Sequence, residues 1–175
     1  SDGAHAVHCA LMQRDFLKQY ASQADFLFVP PTIVSKQLEA CADQRSGDDC
    51  VLGFLSNLTL AKGIDDVIAT FERLARSGKN VRLLLAGPCM ASAERTMIDK
   101  ALAQWPDRIE YRGPVYGREK SRFYADIDVF VFPTRTESWG IVLTEALSVG
   151  RPVIARLKGC VPWIVRGGCG QGIEA

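Results

Sequence analysis

From residue 50 onward, short runs of apolar residues alternate with longer segments in which apolar residues recur every three or four positions. The apolar runs, each ended by glycine, proline or a polar residue, cover 51–55, 81–86, 109–112, 129–132 and 152–155. Helical spacing fills the intervals 63–74, 91–104 and 117–126, with a further helical turn near 161–165. Runs of this length predict strands, and the recurrence predicts helices that pack by one face. We therefore expect strands and helices to alternate along this part of the chain.

Strands that are nearly all apolar are typical of a parallel sheet buried on both faces. Right-handed crossovers between such strands predict a doubly wound, Rossmann-like α/β domain. Residues 173–175 have the pattern of the start of a sixth strand, after a glycine-rich break at 167–172. Because such a domain normally packs another helix after its last strand, we expect it to be truncated at its C-terminus.

The first 49 residues follow a less regular pattern. Residues 4–20 predict a helix, 24–29 predict a short strand ended by two prolines, and 42–49 predict a polar surface connection into the main domain. His5 and His8 lie three positions apart on the predicted helix. No third ligand is near them in the sequence, so a surface or interface role is favoured over metal binding.

Composition narrows the class of protein without identifying it. The 175 residues suffice for one domain and are too few for two good ones. A net charge of +1 provides no clustered basic field for general nucleic-acid binding. No apolar run approaches the ~20 residues needed to span a bilayer, and the first residues do not form a signal peptide. The 6 cysteines have irregular spacing, which favours reduced thiols over a disulfide framework.

The stretch 137–145, Glu-Ser-Trp-Gly-Ile-Val-Leu-Thr-Glu, follows a predicted strand and leads into a short helix. If Gly140 begins the helix, the backbone N–H groups of residues 140–142 are unpaired and can hold phosphate. Glu145 would lie about one turn further on, where its carboxylate could accept hydrogen bonds from two ribose hydroxyls. Glu137 would face the mouth of the cleft and could accept from sugar hydroxyls. The alternative is that both glutamates are surface charges that compensate the helix N-terminus.

A second candidate is the loop after the first predicted strand, Ser-Asn-Leu-Thr-Leu-Ala-Lys-Gly at 56–63. Lys62 could place a point charge on a diphosphate, and Gly63 would let the backbone approach closely. The alternative is a turn with a solvated lysine. The chain has no Gly-x-Gly-x-x-Gly fingerprint after this strand and no Gly-Lys-Ser/Thr phosphate loop, which counts against NAD enzymes and P-loop NTPases.

Six segments of the chain form an ordered set of motifs. They are Gly53–Leu58 with Lys62-Gly63, Ala86–Pro88, Tyr111–Val115, Tyr124–Pro133, the Glu-x7-Glu pair at 137 and 145, and Ala146–Ala155. In this order and spacing they resemble the glycosyltransferase group 1 family, which comprises retaining, GT-B-type enzymes that use nucleotide-sugars. The resemblance runs from about residue 50 to residue 168. It implies that 50–175 is the second, nucleotide-sugar-binding domain of a two-domain GT-B enzyme, and that 1–49 is the end of the first domain and the crossover.

The resemblance also implies roles for individual residues. Glu137 would be catalytic, because it would contact the donor sugar and help place it for transfer. Lys62 would bind the donor diphosphate, and Glu145 would hold the ribose. The other implied donor-binding groups are the backbone N–H groups of Trp139, Gly140, Ile141 and Val142, the main-chain groups from Gly113 to Val115, and Asn57 in the first loop.

Three residues bear on how closely the chain follows the family pattern. Asn57 stands where the family often has an arginine, which leaves Lys62 with less help in meeting the diphosphate charge. Trp163 stands where the family often has a glutamate, which changes one wall of the cleft. Arg135 is either a cation of the cleft or a solvated loop residue.

The resemblance implies no cofactor and no metal, only a UDP- or GDP-sugar as co-substrate. The expected partners are this donor, an unknown glycan, lipid or small-molecule acceptor and the missing N-terminal domain, with no nucleic acid. The expected location is cytoplasmic, with the cytoplasmic face of a membrane as an alternative.

Competing functions are a nucleotide-sugar epimerase of the same architecture, a sugar phosphorylase and a non-catalytic nucleotide-binding module. No lysine motif for pyridoxal phosphate supports the phosphorylase, whereas Asn57 and Trp163 give the non-catalytic module some weight.

Overall fold

A computed structural model describes residues 49–165 and 170–173, which build one parallel sheet with helices on both faces. The strands are β1 Cys50–Leu55, β2 Val81–Ala86, β3 Ile109–Tyr111, β4 Val129–Phe132, β5 Val153–Arg156 and β6 Gly170–Ile173. The helices are α1 Ile64–Arg76, α2 Ser92–Gln104, α3 Gly117–Ala125, α4 Ile141–Ser148 and α5 Val161–Ile164, with a 3₁₀ turn at Leu60–Lys62.

The strand order is β3-β2-β1-β4-β5-β6, and every neighbouring pair is parallel. This is the strand order of a doubly wound, dinucleotide-binding sheet, so the predicted fold class is confirmed. Successive side chains of a strand point to opposite faces. In β1, Val51 and Leu55 therefore join the core beneath α3 and α4, whereas Leu52 and Phe54 join the core beneath α1 and α2.

The sixth strand begins earlier than the sequence predicts. Gly170 pairs with Val153 of β5, and the ladder continues to Ile173. A Cβ atom added at Gly172 would lie 2.5 Å from the side chain of Leu157. This glycine therefore lets the edge strand approach its neighbour instead of interrupting it. The prediction that the strand starts only at residue 173 is wrong for that reason.

Two glycines set the start of α1 and α4. Gly63 and Gly140 are the N-cap residues of these helices and have φ angles of 84° and 60°. Such angles favour glycine, because a side chain would be strained there. At Gly63 an added Cβ would also lie 2.6 Å from the carbonyl oxygen of Pro133. The predicted helices thus begin one residue later, at Ile64 and Ile141.

The switch in strand order positions the site. All six strands end at the same edge of the sheet, and the chain leaves β1 and β4 in opposite directions. Ligands of doubly wound proteins bind in the crevice that this reversal opens outside the carboxyl ends of the strands. The loops that meet there are 56–63 after β1 and 133–140 after β4.

Some predictions fall outside the described residues. These are the helix at 4–20 with its two histidines, the strand at 24–29, and three of the cysteines. The division of the chain at residue 49 also stays a prediction. Within the described part, no helix is both long enough and apolar enough to cross a membrane.

Candidate active site

The two crevice loops are joined by Lys62. Its Nζ donates to Glu137 Oε2 at 2.9 Å and to the carbonyl oxygen of Thr136 at 3.2 Å. In the other direction, the backbone N–H of Arg135 donates to the carbonyl oxygen of Ala61 at 2.9 Å. The prediction that the lysine loop faces the glutamate stretch across the sheet edge is therefore confirmed.

Arg135 is an exposed loop residue whose charge is paired, so it is not a free cation of the cleft. Its guanidinium binds both carboxylate oxygens of Asp65 at 2.7 and 2.8 Å, and Asp66 at 2.9 Å. It also donates to the carbonyl of Leu60. The two aspartates lie in the first turn of α1, where negative charge is favoured by the helix dipole. Arg135 thus straps the loop after β4 to the turn that carries Lys62.

Glu137 is held by its own loop. Its Oε1 accepts hydrogen bonds from the backbone N–H groups of Ser138 at 2.9 Å, Trp139 at 3.1 Å and Gly140 at 3.0 Å. Successive N–H groups around one anion form a nest. The loop is also tightly packed from outside, because an added Cβ at Gly159 would lie 1.8 Å from the Glu137 carbonyl oxygen. The carboxylate therefore has a fixed position and orientation.

This environment keeps Glu137 ionised. Burial on its own raises the pKa of the carboxyl group, but the Lys62 hydrogen bond and the N–H groups of Gly140 and Trp139 outweigh burial. The net effect is a pKa below the ordinary value of 4.5. A group with a lowered pKa is a poor proton carrier near neutral pH. Glu137 is instead suited to act as a fixed negative charge and a hydrogen-bond acceptor.

The nest changes which backbone groups are available for an anion. The sequence predicts that the N–H groups from Trp139 to Val142 bind phosphate or sugar. Those of Trp139 and Gly140 already bind Glu137. Within the described residues, the N–H groups of Ile141 and Val142 donate to no acceptor, and they open the first turn of α4. Only these two fit the predicted role in this arrangement.

Glu145 lies one turn into α4 and is almost buried, with 8% of its surface exposed. Lys120 Nζ donates to its Oε1 at 2.6 Å. The Tyr124 hydroxyl lies 2.9 Å from Oε2 and 3.0 Å from the carbonyl oxygen of Val142, and can donate to either. Burial, followed by the charge of Glu145, raises the pKa of Tyr124, so the phenol stays protonated.

Sequence reasoning missed Lys120 and Tyr124. Both belong to α3 and lie four positions apart, so they share one face of the helix. The four-residue spacing is the sequence feature that could have indicated a shared role. Spacing alone does not identify the partner, because the contact with Glu145 depends on how α3 packs against α4.

The remaining predicted donor-binding residues lie along the same sheet edge. Asn57 is exposed in the loop after β1. The carbonyl of Gly113, after β3, accepts from the N–H of Gly87 at 2.8 Å, which links the loops after β2 and β3. Val115 is buried, with 7% of its surface exposed. Its side chain belongs to the core, so only its main chain is available to line a pocket.

Other candidate groups have structural partners or unsuitable surroundings. Asp128 accepts from the N–H of Val51 at 2.7 Å, and Asp126 pairs with Arg112 at 2.7 Å. No group of three or more histidine, cysteine, aspartate or glutamate residues in the described part could hold a metal ion. Burial, followed by the charge of Glu137, raises the pKa of Cys160 to about 11, so this thiol is not a nucleophile near neutral pH.

Comparison with known proteins identifies the family of the chain. The family model "Glycosyl transferases group 1" matches residues 49–173, and the chain belongs to this family. The family prediction is thus confirmed. A curated relative is the capsular polysaccharide biosynthesis glycosyltransferase CapM of Staphylococcus aureus, which is 29% identical over 145 residues. That match covers 80% of this chain and 37% of CapM, so the chain spans little more than a third of this relative.

Solved structures share the fold. Sucrose-phosphate synthase from Thermosynechococcus elongatus superposes with a TM-score of 0.77 at 21% identity, covering 95% of this chain and 44% of that one. HepE of Anabaena superposes with a TM-score of 0.65 at 20% identity, covering 93% of this chain and 46% of that one. At this level of identity the likeness concerns the fold alone, and this chain corresponds to about half of each structure.

Proposed function

We propose that this chain supplies the donor site of a retaining glycosyltransferase that takes its sugar from a nucleoside diphosphate. The observation that carries the proposal is the meeting of Lys62, Glu137 and the start of α4 at the switch point of the sheet. A cation, a fixed carboxylate and unpaired N–H groups there match the parts of a sugar diphosphate. The UDP and glucose in the HepE structure support a uridine nucleotide as one donor to test.

The diphosphate would lie between Lys62 and the first turn of α4. An ammonium group has three donors, and two of those on Lys62 bind Glu137 and Thr136. The third is available for a phosphate oxygen. The N–H groups of Ile141 and Val142 and the positive end of the helix dipole would meet the rest of the charge. These groups would stabilise the diphosphate as it leaves the sugar.

Glu137 would bind the donor sugar without carrying a proton. Its Oε1 already accepts three hydrogen bonds, and its Oε2 accepts one from Lys62. A carboxylate oxygen accepts about two hydrogen bonds. Oε2 therefore has room for one sugar hydroxyl, which would orient the reacting carbon. Transfer on the face that the leaving group vacates would retain the configuration.

The nucleoside would extend from the diphosphate along the sheet edge. Glu145 would accept from ribose hydroxyls, and the main chain from Gly113 to Val115 would line the base pocket, with Asn57 near the diphosphate. In this proposal the acceptor would bind outside the donor site, at residues that include the expected N-terminal domain. In the proposed reaction no metal or cofactor is needed, and the protein acts in the cytoplasm.

Titration calorimetry of UDP, GDP and their sugars tests the proposal. We expect binding, and we expect Lys62→Met and Glu145→Gln each to weaken it by about tenfold or more, which is the typical cost of losing a hydrogen bond to a charged group. Failure of every nucleotide to bind at about millimolar concentration, a range in which even weak binding of ~4 kcal/mol is visible, would exclude a donor site.

A non-catalytic module is the second candidate, because Asn57 and Trp163 depart from the family pattern. Trp163 is 47% exposed in α5, so this departure from the family pattern lies at the surface. A module that only binds would hold UDP-sugar intact. NMR can monitor the bound sugar nucleotide over time. Slow hydrolysis would indicate an enzyme, whereas an intact sugar nucleotide would indicate a module that only binds.

A further inference from the structure

Lys120 makes no contact with the proposed donor, yet it forms a close ion pair with Glu145, the proposed ribose acceptor. Its Nζ lies 2.6 Å from Glu145 Oε1, with the lysine side chain 26% and the glutamate side chain 11% exposed. Tyr124, one turn further along α3, lies 2.9 Å from the other carboxylate oxygen. Two residues of one helix face therefore hold the two oxygens separately.

This arrangement leaves each oxygen of Glu145 with spare accepting capacity. An ionised carboxylate has about four acceptor positions, two on each oxygen. Within the described residues Lys120 uses one on Oε1, and Tyr124 uses at most one on Oε2. One position on each oxygen can therefore serve an incoming ligand. Two adjacent hydroxyl groups on neighbouring carbons are the ligand that matches two neighbouring acceptors.

Without Lys120 the carboxylate would lose its orientation and its counter-charge. A glutamate side chain has three rotatable torsions, and a nearly buried carboxylate is costly without a partner. Tyr124 alone would fix one oxygen and leave the other free to turn. Both α3 residues are thus needed if both oxygens are to meet a ligand at once.

We infer that Lys120 is a positioning residue that holds Glu145 for a vicinal diol, and that the site thereby selects ribonucleoside over 2′-deoxyribonucleoside diphosphates. The inference rests on the proposed function, because it takes Glu145 as the ribose acceptor. To the proposed donor site the inference adds a residue outside the stretch 137–145 and a preference for ribose over 2′-deoxyribose. Lys120 itself need not touch the nucleotide.

The test measures binding of UDP, 2′-deoxy-UDP, GDP and 2′-deoxy-GDP to the full chain by calorimetry. The unmodified chain should prefer each ribonucleotide by about 10- to 100-fold, as expected for one hydrogen bond to a charged acceptor. Lys120→Met should reduce this preference to within about threefold, because only the ribonucleotide loses a hydrogen bond. Lys120→Arg should restore part of it, and Lys100→Met, at an exposed position of α2, should leave it unchanged.

Tyr124→Phe keeps the test decisive if Lys120→Met does not fold, as judged by circular dichroism. It removes only the hydroxyl that meets Oε2 and should also lower the preference. If the unmodified chain binds UDP or GDP and the variants keep its full preference, the inference is overturned while the donor site stands. If the unmodified chain binds no nucleotide, the donor site fails and the inference fails with it.

Discussion

Two lysine–glutamate pairs, Lys62–Glu137 and Lys120–Glu145, are built differently although their glutamates lie only eight positions apart. The exposed fractions are the same, with each lysine side chain at 26% and each glutamate side chain at 11%. Glu137 lies on a loop, and three backbone N–H groups surround one of its oxygens. Glu145 lies on a helix, and in the described part of the chain its carboxylate is bound by two side chains of a second helix.

The difference between the pairs concerns how much accepting capacity each carboxylate retains. Glu137 has one oxygen saturated and its pKa lowered, which suits a fixed charge beside the diphosphate. Among the residues that the structure describes, Glu145 keeps one free acceptor position on each oxygen, which suits a diol. The same chemical pair can therefore serve two parts of one ligand.

Gly159→Ala should disrupt the Glu137 pair most strongly. The added Cβ would lie 1.8 Å from the Glu137 carbonyl oxygen, and the φ of 58° is already unfavourable for alanine. Backbone strain and overpacking together should lower the free energy of unfolding by about 3 kcal/mol or more. Gly78→Ala is a matched control, since φ is 79° there and nothing lies within 4 Å of the added atom.

Denaturant unfolding of both variants measures the difference. Gly78→Ala should lower the free energy of unfolding by about 1 kcal/mol, because alanine at a positive φ is strained there but clashes with no neighbouring atom. If both variants lowered the free energy of unfolding by the same amount, the loop around Glu137 would be easily displaced and would not fix the carboxylate.

Lys62→Met should weaken binding of the diphosphate and leave recognition of the nucleoside intact. We expect the affinity for UDP to fall by about 10- to 100-fold, the usual effect of removing a charged hydrogen-bond donor. The affinity for uridine should change little, because Lys62 lies at the other glutamate. Calorimetry with uridine, UMP and UDP measures the trend. A parallel loss for all three ligands would show that the two pairs are not independent.

The sheet could be predicted from the sequence because its strands are apolar and its helices have a clear period. Every described helix and the first five strands begin and end within about two residues of prediction, as local patterns allow. That the Lys62 loop faces the Glu137 stretch could also be predicted, since the carboxyl ends of β1 and β4 meet at the switch point. In each case, pattern and topology together carry the information.

The finer features of the site could not be predicted for physical reasons. The positive φ of Gly140 belongs to a loop that turns three N–H groups onto Glu137, whereas the sequence indicates only that a helix starts nearby. The place of Lys120 depends on how two helices pack. Gly170 and Gly172 look like strand breakers until the neighbouring strand is known. Tertiary contacts decide all three.

Glu137→Gln should change how the stability of the fold depends on pH. The folded-state pKa of Glu137 lies below 4.5, so its ionised form stabilises the fold above that pH. This contribution disappears as pH falls through the folded pKa. The difference in unfolding free energy between the unmodified chain and Glu137→Gln should therefore be largest near neutral pH and shrink as the pH falls below 4.5.

Urea unfolding at a series of pH values between about 7 and 3 measures that difference, the range over which carboxylates titrate. Glu119→Gln, at an exposed position of α3, controls for the loss of a negative charge. A difference that grows as pH falls would contradict the direction of the pKa shift.

Arg135→Lys should have the smallest effect on stability and on nucleotide binding. We expect it to perturb the Lys62–Glu137 pair and not the Lys120–Glu145 pair. Lysine cannot bind both oxygens of Asp65 as the guanidinium fork does. Since the pair is 38% and 34% exposed, we expect a loss of only about 0.5–1 kcal/mol in stability. The looser strap should weaken UDP binding about two- to threefold and leave the preference for ribose unchanged, because α3 and α4 hold Glu145 independently. A change in that preference would show that the loops and the helix pair move together.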